Sequence, residues 1–100
     1  MMVIADSIAE KLRIYCRTHG IKVMYLFGSY AREEATPFSD IDLLIEFEKG
    51  LQISYLDLLE IKYDLEGITG TGIDLVEQDA IENPIRRKNI MEERVLLYAS

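Results

Sequence analysis

The sequence predicts a small α/β (α+β) fold, a mixed sheet of three to four strands with helices mainly on one face. Stretches of helical apolar periodicity alternate along the chain with short runs of strand character. Those runs are few, so the sheet is small and helices must cover it. The chain has 100 residues, which bury one core, so residues 1–100 read as a single domain.

The elements follow in order. Ser7 and Glu10 have capping-box spacing, with Asp6 a rival cap, and Ile8, Leu12 and Tyr15 recur on one face behind them. Gly20 stands where that helix needs a left-handed residue to end. Residues 22–27 are rich in apolar and aromatic side chains, a strand that stops at Gly28-Ser29. Residues 30–35 allow one or two helical turns before Thr36-Pro37 ends them. Residues 40–47 form the clearest strand. Asp40, Asp42, Leu44 and Glu46 leave one face; Ile41, Leu43, Ile45 and Phe47 leave the other. Lys49-Gly50 turns the chain, and Ser54 with Asp57 starts a second helix running to about Glu66. Gly67, Gly70 and Gly72 make a loop, and residues 72–77 a third strand. Asn83-Pro84 starts a last helix, with Pro where its missing N–H costs nothing, predicted to run to about Tyr98.

Two of these helices carry more apolar surface than one buried face explains. Leu58, Ile61 and Leu65 form one stripe of the second helix, and Leu56, Leu59 and Tyr63 another. In the last helix Met91, Val95 and Tyr98 form one stripe, Ile90 and Leu97 a second. Such stripes predict partly exposed faces that meet another protein.

Composition narrows the function. Eleven basic against eighteen acidic side chains leave a net charge of −7. That argues against direct nucleic-acid binding, which needs a basic face, and suits a nucleotide with a cation or a protein partner. The single cysteine, Cys16, excludes an intramolecular disulfide framework and a cysteine-based zinc site. The first nine residues lack the basic and apolar segments of a secretory leader, and no apolar run is long enough to cross a membrane. A cytoplasmic protein without membrane attachment is the expectation.

The chemistry concentrates between Gly28 and Ile45. Asp40 and Asp42 lie two apart on a strand and share a face, and Asp74 sits in another predicted strand between apolar residues. If the strands are neighbours, three carboxylates converge. They would repel one another unless a cation neutralised them. Mg²⁺ suits such a set, because it takes one or two carboxylates and completes its shell with water and phosphate oxygens. Gly28 lets backbone approach a phosphate closely, Ser29 adds a hydroxyl and an N–H, and Arg32 one turn on adds a guanidinium. No Walker A loop is present, since no Gly-Lys-Ser/Thr follows. Nor is this an EF-hand: Ile45 and Leu51 stand where that loop needs Gly and Glu. An isolated Asp-x-Asp is ordinary turn chemistry, and an isolated helical Arg is a solvated one. His19 beside Gly20 reads as a helix-end residue. The basic run Arg86-Arg87-Lys88 is either a solvated helix face or a contact to nucleotide or partner.

Gly28-Ser29, ten residues, then Asp40-Ile41-Asp42 resembles the signature of the polymerase-beta-like nucleotidyltransferases. Gly28-Ser29-Tyr30-Ala31-Arg32, Ser39-Asp40-Ile41-Asp42-Leu43 and Ile73-Asp74-Leu75-Val76 resemble the small stand-alone form, the minimal nucleotidyltransferase. The likeness runs from the first helix to the last and implies the nucleotidyltransferase fold. It further implies transfer of AMP from ATP to a hydroxyl, with pyrophosphate released and two Mg²⁺ ions expected. Asp40, Asp42 and Asp74 would be the catalytic metal ligands; Gly28, Ser29 and Arg32 would bind the nucleotide. Members of this size imply a partner, a HEPN-domain toxin modified on tyrosine, in a toxin–antitoxin pair. Two other readings stand beside it: an antitoxin that neutralises by binding alone, and a transferase for a small-molecule hydroxyl. The latter usually needs an acceptor-binding domain for which this length has no room.

Overall fold

The structure, a computed structural model, describes residues 4–100. Residues 1–3, part of the N-terminal stretch read for a leader, lie outside the described residues. The elements are α1 (Asp6–Thr18), β1 (Ile21–Phe27), α2 (Gly28–Ala31), β2 (Ile41–Phe47), α3 (Tyr55–Thr69), β3 (Ile73–Glu77), a 3-10 turn (Gln78–Ala80), α4 (Pro84–Glu93) and β4 (Val95–Ala99). Among the described residues four strands form one sheet in the order β3-β2-β1-β4. β1 runs antiparallel to both β2 and β4, whereas β2 and β3 are parallel. The fold class is therefore the predicted one, a four-stranded mixed sheet with helices.

Most apolar surface is buried on one side. Leu12 and Cys16 of α1, Ile61 and Leu65 of α3, and Met24, Leu43 and Ile45 of the sheet form the main core. Burial pushes the Cys16 thiol up to about 12, so it behaves as an inert apolar group. The other face carries a smaller cluster, in which Ile90 of α4 covers Phe27 and Leu44. Helices thus lie mainly on one face, and α4 closes part of the second.

Several boundaries differ from the expectation. α1 begins at Asp6, because the Ala5 carbonyl accepts from the N–H groups of Ile8 and Ala9, both at 3.0 Å. Ser7 is then already inside the helix, and no side chain caps it among the described residues. α2 starts directly at Gly28 and ends at Ala31, earlier and shorter than residues 30–35, because Glu33 takes a positive φ of 59°. α3 does open on the Ser54–Asp57 capping box, but it passes through Gly67 to Thr69. Leu65 and Ile68 continue its apolar face past Gly67, and Gly70, at φ 70°, stops it.

The largest correction is at the C-terminal end. α4 starts as expected, with the Asn83 side chain accepting from Ile85 and Arg86 and Pro84 at the first position. It ends at Glu93, and Val95–Ala99 is a strand. Met91, Val95 and Tyr98 therefore never form one helical stripe. Leu97 enters the main core, Met24 pairs Tyr98, and Val95 and Leu96 remain exposed. The second stripe of α3 does face outward, with Leu56 at 73% and Tyr63 at 59% exposure. Among the described residues no helix is long and apolar enough to cross a membrane.

Candidate active site

The parallel pairing of β2 with β3 places the key carboxylates. Ile41 pairs Ile73 and Asp42 pairs Asp74, so the two aspartates stand in register on one face. Asp40 precedes β2, and the next residue is tied to β3 by an Ile41 N–H to Gly72 carbonyl bond of 2.9 Å. The Asp40 carboxylate lies against Gly72: a Cβ there would stand 2.5 Å from its Oδ1. Gly28, at φ 71°, presses against the Asp42 carboxylate, and a side chain there would overlap it. Its glycine is required twice, by backbone conformation and by space.

Burial raises the Asp42 carboxyl to about 6; the charge of Asp74, a hydrogen bond with it, and the charge of Asp40 act in the same direction. Arg32 pulls the other way. The three predicted carboxylates therefore feel one another across one spot. The set fits a hard divalent cation, because every donor is a carboxylate oxygen and half-buried Asp42 beside exposed Asp74 carries repulsion that a cation would relieve. It is not a finished cage. Among the described residues no three His, Cys, Asp or Glu side chains stand together as a metal-binding group.

A cleft of about 740 Å³ opens over this spot. Asp42 and Asp74 line it with Phe27, Gly28 and Arg32, and α4 contributes Arg86, Asn89 and Glu93 among others. Asn83 and Ile85 stand at the start of that helix. Two guanidiniums thus meet the carboxylates. Arg86 Nη2 lies 4.0 Å from Asp74 Oδ2, which gives the basic run one member in the cleft. Of the six residues singled out from sequence, Gly28, Arg32, Asp42 and Asp74 line the cleft. Asp40 adjoins it through Gly72 and the field it exerts on Asp42. Ser29 follows Gly28 in α2, is half-buried, and does not belong to the lining.

Glu93 is the residue that sequence reasoning missed. Its Oε1 accepts from the Gly28 N–H at 3.1 Å and its Oε2 from Arg32 Nη1 at 3.0 Å. Arg32 also contacts Glu34 at 3.2 Å, so its guanidinium is engaged on two sides and its pKa is raised, chiefly by the hydrogen bond to Glu93. A Glu late in a helical stretch reads as solvated, and its partners lie more than sixty residues away. Ser39, by contrast, is turn chemistry: its hydroxyl accepts from the Thr36 N–H at 2.9 Å.

The profile of the Nucleotidyltransferase domain family matches residues 8–97. A Methanocaldococcus jannaschii protein, provisionally named a protein adenylyltransferase, is 43% identical over 90 residues, 90% of this chain and 94% of that one. The protein adenylyltransferase MntA of Thermococcus cleftensis is 34% identical over 73 residues, 73% of this chain and 72% of that one. Among solved structures, the complex of a tri-AMPylated Shewanella oneidensis HEPN toxin with an MNT antitoxin contains a chain of similar fold. It superposes with a TM-score of 0.69 at 18% identity, covering 93% of this chain and 71% of that one.

Proposed function

Because this chain belongs to the Nucleotidyltransferase domain family, we propose that it transfers AMP from ATP to a tyrosine hydroxyl of a HEPN-domain toxin, acting as that toxin's antitoxin. One observation carries the reading: Asp42 and Asp74 stand in register at a cleft whose wall is the Gly28 turn. The names of the relatives and of the HEPN–MNT complex supply the acceptor class.

In this mechanism Gly28, Ser29 and Arg32 hold the β- and γ-phosphates, and Arg86 faces the same cleft from α4. Asp40, Asp42 and Asp74 would hold Mg²⁺, two ions being expected. The chemistry such ions would supply is charge neutralisation on the phosphates and on the leaving pyrophosphate. Asp74 is the more exposed of the paired aspartates, and on this reading it serves the acceptor hydroxyl. The acceptor oxygen bonds to the α-phosphorus, the bond to the β-phosphate bridge breaks, and the hydroxyl proton leaves to solvent or carboxylate. Positioning supplies most of the acceleration, since phosphoryl transfer of this kind leaves little covalent work to the protein.

The test incubates the chain with the product of the adjacent gene, and with purified HEPN-domain proteins, in the presence of Mg²⁺ and α-labelled ATP. Label on a partner tyrosine, absent with Asp42→Asn, is the expected result. No label, with neutralisation that survives Asp42→Asn, would replace transfer by occlusion. That second reading has one observation in its favour: Tyr55, Leu56 and Tyr63 expose an apolar stripe on α3.

A further inference from the structure

We propose that Glu93 is a positioning residue for the phosphate-binding turn, its one carboxylate clamping both ends of α2. The proposal rests on the reading of Gly28, Ser29 and Arg32 as the grip on the triphosphate. α2 has four residues, too few for a helix to hold its own shape. Its first N–H has no partner within the helix. Glu93 supplies that partner at Gly28, 3.1 Å away, and with its other oxygen takes Arg32, the C-cap, at 3.0 Å. Ser29 lies between the two gripped points.

The clamp is itself anchored. Glu93 ends α4, whose Ile90 is buried against Phe27 and Leu44, and whose start is capped by Asn83. The following residue, Arg94, lies over the Tyr25 ring of β1 at 4.1 Å. Glu93 therefore ties the turn to the sheet from the opposite wall of the cleft. Gly28 has little freedom to compensate, since it rests on Asp42 at positive φ. A turn released by Glu93 would shift its N–H groups and Arg32 together, and with them the triphosphate grip. The opposite role, a carboxylate competing with phosphate for the same donors, would give effects of opposite sign.

Calorimetric titration with Mg²⁺-AMP-PNP and, separately, with AMP separates these roles, because AMP lacks the β- and γ-phosphates. Glu93→Ala removes two charge-assisted bonds and should weaken AMP-PNP binding by about tenfold or more, while AMP affinity changes by less than about twofold. Glu93→Gln still accepts from Gly28 but presents an N–H donor to Arg32, so it should recover only part of the loss. Thermal melts check that all three proteins are folded. AMP-PNP binding that is unchanged or tighter in Glu93→Ala overturns the clamp, and so does an equal loss for both ligands. If the wild-type protein binds no AMP-PNP at all, the nucleotidyltransfer reading fails and the clamp with it. If the wild-type binds and only the Glu93 variants behave otherwise than expected, the clamp alone fails.

Discussion

Replacing Asp42 with Asn should stabilise the metal-free protein while abolishing transfer. The carboxyl is raised from an ordinary 3.8 to about 6 by burial and by the charges of Asp74 and Asp40. A gap of about two pH units corresponds to roughly 3 kcal/mol of native-state penalty at neutral pH, as an upper bound. Asp42 is only half-buried, and solvent screening lowers the figure to about 1–2 kcal/mol. Asn keeps the shape, removes the charge, and donates an N–H to Asp74. For a domain of this size the gain is about 5–10 °C in Tm. The native state here holds its proton more tightly than the unfolded chain, so wild-type stability falls as pH rises from about 4 to about 6 and levels off above. Urea and thermal melts in EDTA, at about pH 7.5 and just below pH 4, measure both proteins. The advantage of Asp42→Asn should be full at the higher pH and nearly gone at the lower, where both proteins are neutral at this position. A variant no more stable than wild type at neutral pH, or an advantage that persists in acid, would refute the electrostatic account.

Gly28→Ala should lose about 2 kcal/mol or more of stability, because its φ of 71° is strained for a side chain and the new methyl meets the Asp42 carboxylate. Denaturant titration measures that loss, and AMP-PNP binding should disappear with it. Ser54→Ala should remove the α3 capping box at a cost of about 1 kcal/mol, lowering Tm by about 4–8 °C. Ser54 does not line the cleft, so transfer measured below the melting range should be unchanged.

The parts of the fold that sequence could reach are those governed by neighbours in sequence. Gly20, the Ser54–Asp57 box and Asn83-Pro84 are local signals, and the structure uses each of them. The alternation in residues 40–47 likewise separates Asp42 and Leu44 from Leu43 and Ile45 as observed. Failure comes where a distant segment decides. Val95 to Ala99 is a continuous apolar run, which periodicity cannot divide between helix and strand. Its pairing with β1, far earlier in the chain, selects the strand. Gly67 reads as a breaker because its cost is local, whereas Ile68 meets the core beyond it. The site divides in the same way. The spacing of Gly28, Asp40 and Asp42 is visible in one short stretch, and Asp74 needs only the guess that its strand is a neighbour. Glu93 is invisible, since its function lies wholly in contacts with Gly28 and Arg32.

The register of β3 against β2 has a consequence for how a preparation of this protein is judged. A parallel ladder tolerates a slide of one residue with most of its backbone bonding retained, but the slide turns each side chain to the opposite face. Leu75 would then be presented to the cleft, and Asp74 would be driven toward the apolar side beneath α3. A chain trapped in that state would keep its helix and strand content, so a far-ultraviolet spectrum would pass it as native. The chemistry would detect the fault. Turnover per molecule therefore serves as an alignment gauge: it counts the fraction of chains whose edge strand β3 has locked in step with β2.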